Sequence, residues 1–438
     1  VSRFIEVNIT DETTPVSREG FGLGLILDPS TDYDYAEIRS GEDIPEDASE
    51  LAEDMARRYL AQSPNPGVVA MAGKETFDGD NAEAVLNEGA TDGEVHIEVD
   101  EDGDDGNNYT AEVVIDGTET PLSVELDDYT LTVNIATDNE GNATSTAAEV
   151  ADEINLELGD TFTAEASGAG TAVLDTPETV EFEGGADGFS VPDALSELAD
   201  EGYTDWYGLL LADRDQAEIE EAASWLTNEL FITQPVEDSW AALDGYNLQG
   251  YGRVGAFPSK EEQALDAAIM SRMFATDPGT ATWKWKQLEG VTTSGYPSAD
   301  VTSMINPSEG EPAMNPMIWE MGVDYTAEGK AADGTYLDIQ RAIDWMTARL
   351  TENIFQLLVT QGKVSYTNEG IAQVVARMRE ILQQAVSRDV LIEYSIDAPR
   401  REDVPTNDVA NRILPDVNFE GIVSGAIHEV EVHGVLRV

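Results

Sequence analysis

Gly20, Gly22 and Gly24, in "TTPVSREGFGLGLIL" (residues 13–27), are the first residues whose spacing could do chemistry. A glycine-rich turn lets backbone N–H groups approach an anion and, with a helix behind it, cradles a phosphate. A dinucleotide fingerprint wants Gly at its first, third and sixth positions, with the last opening a helix. Counted from Gly20, the third glycine falls one place early and the chain runs on as "LILD", a strand pattern. Close backbone packing is therefore the expected role. "DEDGDDG" (100–106) places Asp100, Asp102 and Asp104 with the spacing of calcium-loop ligands, but Asp105 stands where that loop needs Gly, and the flanks read as strands. A solvated hairpin turn is expected there. His96, His428 and His433 offer no zinc triad, because the last two lie on opposite faces of one strand pattern. His428, on the apolar parity, is expected to be packed with its ring nitrogens bonded. With no cysteine there is no thiolate or disulfide, and no G-x-S-x-G elbow activates a serine. Carboxylates are too common here for any pair to mark a glycosidase. No catalytic residue, metal or cofactor is expected, and the chain reads as a non-enzyme.

The charge balance is the strongest compositional signal, with 88 acidic against 23 basic residues and a formal net charge of −65. Such a surplus repels itself at low salt, whereas molar salt cuts the Debye length to roughly 3 Å. Work in concentrated brine, from a halophilic source, is the expectation. A disordered acidic chain would be poor in aromatic and β-branched residues; seven Trp and many Val and Ile argue for a folded one. Nucleic acid is excluded as a partner because binding it requires basic stripes. No apolar run approaches the ~18 residues that span a bilayer, so no membrane insertion is expected. "VSRFIEVNIT" lacks an apolar h-region and is expected to carry no secretory signal.

The elements that carry these residues fall into two textures. From Lys74 to Arg214 there is no intervening Lys or Arg. "EVHIEV" (94–99), "YTAEVVI" (109–115), "YTLTVNI" (129–135) and "TVEFEG" (179–184) alternate between turn clusters there, which predicts an antiparallel β module with one helix near 145–156. Outside it, "WYGLLLAD" (206–213) reads as a buried strand before a helix with a capping-box pattern at Asp215 and Glu218. "GYGRVGAF" (250–257) repeats the plan, with Ser259 and Glu262 expected to cap the next helix. "TWKWKQL" (282–288) reads as an alternating strand with Trp283 and Trp285 on one face. Ile339, Ile343, Met346, Leu350, Ile354, Leu357 and Leu358 then make the apolar stripe of a long helix stopped by Gly362, with its Trp and Met in the core. Ile371, Val374, Val375, Met378, Ile381, Leu382 and Ala385 line a second helix after Thr367, which completes an αα hairpin. Basic residues collect here and beyond, at Arg341, Arg349, Arg377, Arg379, Arg388, Arg400, Arg401 and Arg412. Both ends read as strands, with Ile5, Val7 and Ile9 on one parity and Ala426, His428, Val430, Val432, Leu436 and Val438 on another. A terminal strand is ordered only when it finds a sheet.

Several segments resemble contractile tail sheath proteins of phages: "TTPVSREGFGLGLIL", "WKWKQLEGVTTSGY", "NPMIWEMGVDYTAEGK", "ADGTYLDIQRAIDWMTARLTENIFQLL" (332–358), "VSYTNEGIAQVVARMREILQQAV" (364–386) and "NFEGIVSGAIHEVEVHGVLRV". The resemblance implies an α/β (α+β) sheath core (21–75 and 187–420), an inserted acidic, mostly β domain (76–186), and terminal strand arms (1–20 and 421–438). It implies that Ile5, Val7, Ile9, Val430, Val432 and Leu436 pair with neighbouring subunits and that Gly20, Gly22 and Gly24 form the arm hinge, with positive φ angles allowed. Arg377, Arg379 and Arg388, on the hairpin's polar face, are expected to meet the tail tube or a neighbouring core. The implied partners are identical subunits in a helical array of stacked six-fold rings, the tube protein, and baseplate and tail terminator proteins. The implied place is a virion tail assembled in the cytoplasm of a haloarchaeal host. A halophilic surface or adhesin-type protein, or the sheath of a virus-derived injection system, is the alternative.

Overall fold

Runs such as "GLILD", "VAMAG" and "GLLL" have no polar face, so as strands they must be covered on both sides. The computed structural model describes residues 20–100 and 103–434, and the chain divides into two compact units, Val1–Lys74 with Leu195–Val438, and Glu75–Ala194. The first unit opens with β1 (Gly24–Asp28), β2 (Tyr33–Ile38), α1 (Glu50–Leu60) and β3 (Val69–Gly73). Ser49 caps α1 by accepting from the Ala52 N–H at 3.2 Å.

The second unit holds β4 (Glu83–Leu86), β5 (Val95–Val99), β6 (Thr110–Val114), β7 (Ser123–Asp127), β8 (Thr130–Asn134), α2 (Ala147–Leu158), β9 (Phe162–Ala166) and β10 (Glu178–Glu181). They form two sheets, β4-β5-β9 and β10-β6-β8-β7. The pairing is antiparallel except between β6 and β8, which run parallel because β7 returns on the far side of β8. This corrects the all-antiparallel expectation. "DEDGDDG" is likewise no hairpin turn: β5 and β6 lie in different sheets, and the link between them ends in a short 3-10 turn, Asp104–Asn108. A reciprocal capping box between Thr146 and Glu149 starts α2. Leu131, Val133, Val150, Ile154, Phe162 and Phe182 fill this unit's own core.

Back in the first unit come β11 (Gly208–Leu211), α3 (Gln216–Trp225), β12 (Leu230–Thr233), β13 (Val254–Ala256), α4 (Leu265–Phe274), β14 (Met317–Glu320), β15 (Val323–Thr326), α5 (Leu337–Thr360), α6 (Asn368–Ser387), β16 (Leu391–Asp397) and β17 (Asn418–Val423). The main sheet has the order β13-β12-β11-β1-β3-β2, parallel except for the edge strand β2. Alternating strands and helices have thus built the expected α/β layer. Gly24 and Gly208 are paired neighbours on β1 and β11. A Cβ on Gly208 would lie 2.5 Å from Phe274 Cζ, and one on Gly24 2.8 Å from Met270 Sδ, so α4 crosses the sheet over a glycine pair.

Three local expectations fail here. Asp215 does cap α3 through the Ala217 N–H at 2.8 Å, but its own N–H is donated to Asp213 Oδ1 rather than to Glu218. The start of α4 comes later than Ser259 and Glu262 suggested; Gln234 Oε1 accepts from the Leu265 N–H at 2.6 Å, while Glu262 serves the Ala264 N–H just ahead. "TWKWKQL" is not a strand: Trp285 takes φ +67°, which turns its ring outward while Trp283 is fully buried.

Candidate assembly surface

The root of the N-terminal segment lies where Phe21 enters the core. Gly20 is exposed, and a Cβ there would meet nothing within 4 Å. Phe21 is buried edge-on against Tyr207, ring centroids 4.9 Å apart, with the Arg349 guanidinium 5.5 Å from its ring. Arg341, fully buried on α5, donates from Nη2 to the Phe21 carbonyl at 3.0 Å and from Nη1 to the Met273 carbonyl at 2.8 Å. Met273 closes α4, so the cation sits at the negative end of that helix. Burial pulls the Arg341 pKa below its ordinary value. A cavity of about 320 Å³ runs beside this root, lined by Gly20, Phe21, Gly22, Trp345, Arg349 and Arg388 among others. Neither Gly22 nor Gly24 adopts a positive φ, and Gly24 is locked under α4. Of the three, only Gly20 stands clear of the core.

The other root follows β17. β16 and β17 form a two-stranded antiparallel sheet with a bulge between Leu391 and Glu393, and among the described residues neither strand has a second partner. Phe419 and Ile422 are exposed on β17. The Ser424 N–H donates to the Val390 carbonyl at 3.0 Å, and regular structure ends there. His428 then docks: Nε2 lies 2.9 Å from Thr282 Oγ1, Nδ1 lies 2.6 Å from Glu328 Oε1, and Tyr336 packs edge-on at 5.3 Å. Glu328 is itself buried and also meets Lys284 Nζ at 3.2 Å. Nε2 is hydrogen-bonded as expected, whereas Nδ1 lies close to Glu328 Oε1 without a hydrogen bond, which departs from the expectation that both ring nitrogens are bonded. Residues 429–434 are exposed, Val430 by 73% and Val432 by 85%. Ile5, Val7, Ile9 and Leu436 lie outside the described residues.

The three arginines of the hairpin do not form one cluster. Arg377 meets Glu380 at 3.4 Å and Arg379 is exposed, both in the middle of α6. Arg388, at the helix end about 14 Å along the axis, meets Asp277 at 3.6 Å and lies over the Trp345 ring at 5.1 Å. Trp345 and Met346 are in the core as expected, but Ile343 is 45% and Leu358 52% exposed, which departs from the expected stripe. Phe355 and Val359 are exposed beside Leu358. No acidic residue occurs from Asn353 to Asn368, the sequence signal that could have marked this end of the hairpin. Phe21, Thr282 and Glu328 were missed because no local pattern reveals a contact between residues 100 or more apart in the chain.

Polar side chains also gather at the end of the main sheet. In doubly wound sheets ligands bind outside the carboxyl ends of the strands. There Asp28 accepts from Ser30 Oγ and the Ser49 N–H, each at 2.8 Å, and Arg214 meets Asp266 at 2.9 Å and Glu262. Burial holds the Asp266 carboxyl above its ordinary range, against the pull of Arg214. Among the described residues no three His, Asp or Glu side chains are placed to hold a metal, and no helix is long and apolar enough to cross a membrane.

Residues 337–393, which span α5, α6 and the start of β16, match the family described as E217 tail sheath protein gp31-like, C-terminal domain. No curated protein matches the chain by sequence. In fold, the chain is similar to one from the cryo-EM structure of the anti-feeding prophage helical sheath in its contracted state, with a TM-score of 0.54, 11% identity and 99% of both chains covered. A chain of the anti-feeding prophage baseplate in the contracted state gives a TM-score of 0.53 at 9% identity, covering 100% of this chain and 98% of that one. The contracted PVC sheath complex of an extracellular contractile injection system gives 0.50 at 8% identity, covering 100% and 99%. The mixed α/β fold is shared with these sheath proteins over nearly the whole chain.

Proposed function

We propose that this chain is the subunit of a contractile sheath, a structural protein that polymerises helically around a rigid tube and shortens to drive it through an envelope. The observation that carries this reading is a fold likeness that runs end to end over 99% of both this chain and a contracted sheath chain. The match of the α5–α6 hairpin to a tail sheath family supports it. Work of this kind needs no active site, because new interfaces between cores supply the free energy.

Assembly would proceed by strand addition. In this reading the parity sets Ile5, Val7, Ile9 and Val430, Val432, Leu436 pair with a neighbour's sheet, main-chain bonds giving affinity and alternate side chains giving register. Each subunit gives and receives, so the contact is heterologous, and a rotation that does not close yields a helical tube. Gly20 is the arm hinge in this reading, with Gly22 and Gly24 behind it. Arg377, Arg379 and Arg388 face the tube protein or a neighbouring core, and baseplate and terminator proteins close the ends of a stack of six-fold rings. A tailed virus is the proposed setting, supported by the family match; an injection system is the second reading, favoured by the fold neighbours. The acid surplus supports a halophilic, haloarchaeal host.

Negative-stain microscopy of the purified chain in molar salt tests the function. Hollow tubes of uniform width are expected; monomers or flat lattices would overturn it.

A further inference from the structure

The two segment roots converge on one short stretch of helix. Tyr336, the residue before α5, packs against the His428 ring, and Arg341, in the second turn, holds the Phe21 carbonyl. Only about 8 Å of helix axis separates those positions. Both contacts are built to resist sliding. Arg341 is fully buried, and its two donors each end on a main-chain carbonyl, so no side-chain rotamer of a partner can swing away. His428 Nε2 is hydrogen-bonded to Thr282, and Nδ1 lies 2.6 Å from the carboxylate of Glu328, which is buried and held from its other oxygen by Lys284. The chain changes character at both points: Gly20 is exposed next to buried Phe21, and residues 429 to 434 are exposed after half-buried His428.

We propose that Arg341 and His428 are positioning residues that fix where the two terminal segments leave the core, and that the first turns of α5 couple them, so that loosening one root loosens the other. This deepens the sheath reading and rests on it for what the segments reach. Pull on one arm then passes through α5 to the other arm and bypasses the sheet. Phe21 and His428 then fix where each segment starts, and so the register in which a neighbour's strand is met.

The test uses the full chain, unassembled, with two readouts. Hydrogen exchange at the Ser424 amide reports the C-terminal root, and release of residues up to Phe21 by chymotrypsin reports the N-terminal one, since cleavage after buried Phe21 requires local opening. Release is scored as the new N-terminus at Gly22, because Phe4 offers a second cut within 1–21. His428→Ala should raise Ser424 exchange about tenfold, the worth of one strong hydrogen bond, and should also speed release of 1–21. Arg341→Met should speed release of 1–21 and, by the reciprocity of coupled sites, also raise Ser424 exchange. His428→Asn, whose amide can still donate towards Glu328, should restore part of both effects. Unchanged Ser424 exchange in His428→Ala would overturn the anchor. Raised exchange with 1–21 release unchanged would overturn the coupling. Neither readout needs a polymer, so microscopy of the wild-type chain judges the sheath reading separately.

Discussion

Gly24 and Gly208 show how a single missing methyl group decides where a helix can lie. The two residues are partners across β1 and β11, under Phe274 and Met270 of α4. Gly208→Ala should destabilise the first unit by about 1–3 kcal/mol, the usual range for overpacking, seen as a lower denaturant midpoint. Gly24→Ala should cost less, because the Met270 side chain can swing, and Gly20→Ala should leave the midpoint unchanged. Equal effects at all three positions would contradict the packing. Residue types alone foretold part of this: a mismatched fingerprint ending in "LILD" pointed to close backbone packing, and parity pointed to a bonded His428. Trp285 was not legible, because W-K-W-K imitates a strand and nothing in residue type announces φ +67°. Thr282 and Glu328 carry no local signal at all; they matter only once the fold brings them to His428.

At the level of elements, strong periodicity was read well and its phase less well. The αα hairpin was legible from apolar steps of three and four, and Thr367 does cap α6 by accepting from the Gly370 N–H. Yet α5 buries Arg341, Ala342, Trp345 and Met346 in its first half and only Leu357 near its end. One stripe cannot describe a helix whose covering elements change along its length. β4, β7 and β9 were missed because each is only 4 or 5 residues long, too short for its alternation to stand out, and no residue of β7 is fully buried. Two predictions belong at this scale. Deleting residues 427–438 should leave a folded core that does not polymerise, checked by circular dichroism and microscopy; normal-length tubes would refute the arm assignment. Reversing Arg377 and Arg379 to Glu should impair assembly on tubes while leaving the melting temperature within a few degrees, since Arg377–Glu380 is a half-exposed pair worth under about 1 kcal/mol. Unimpaired sedimentation with tubes would refute that contact.

Across the whole molecule, charge sets the conditions under which everything else works. With a net charge of −65, stability at low salt should rise as pH falls from 7 towards about 5, because protonation relieves self-repulsion. It should fall again at lower pH. Hydrogen bonds from Ser40, Asn142 and Ser190 hold the carboxyls of Asp43, Asp138 and Asp193 below their ordinary range. A depressed carboxylate pKa contributes stability above the unfolded value, near 3.8, and loses it as pH falls through the folded value. Molar salt should flatten the first limb and keep the second; a thermal melt series over pH at two salt concentrations checks both. The charge surplus and the two textures were legible from composition, whereas the parallel β6–β8 pair needed the fold. The open β16–β17 sheet has one more consequence. An unpaired edge is a template that any extended strand can copy, and in most proteins it would seed precipitation. Here every free subunit repels its like, so growth waits for an end already prepared to receive it. The expected outcome is a storable pool of monomer with a lag before polymer that shortens as salt is added, which light scattering over a salt series would check.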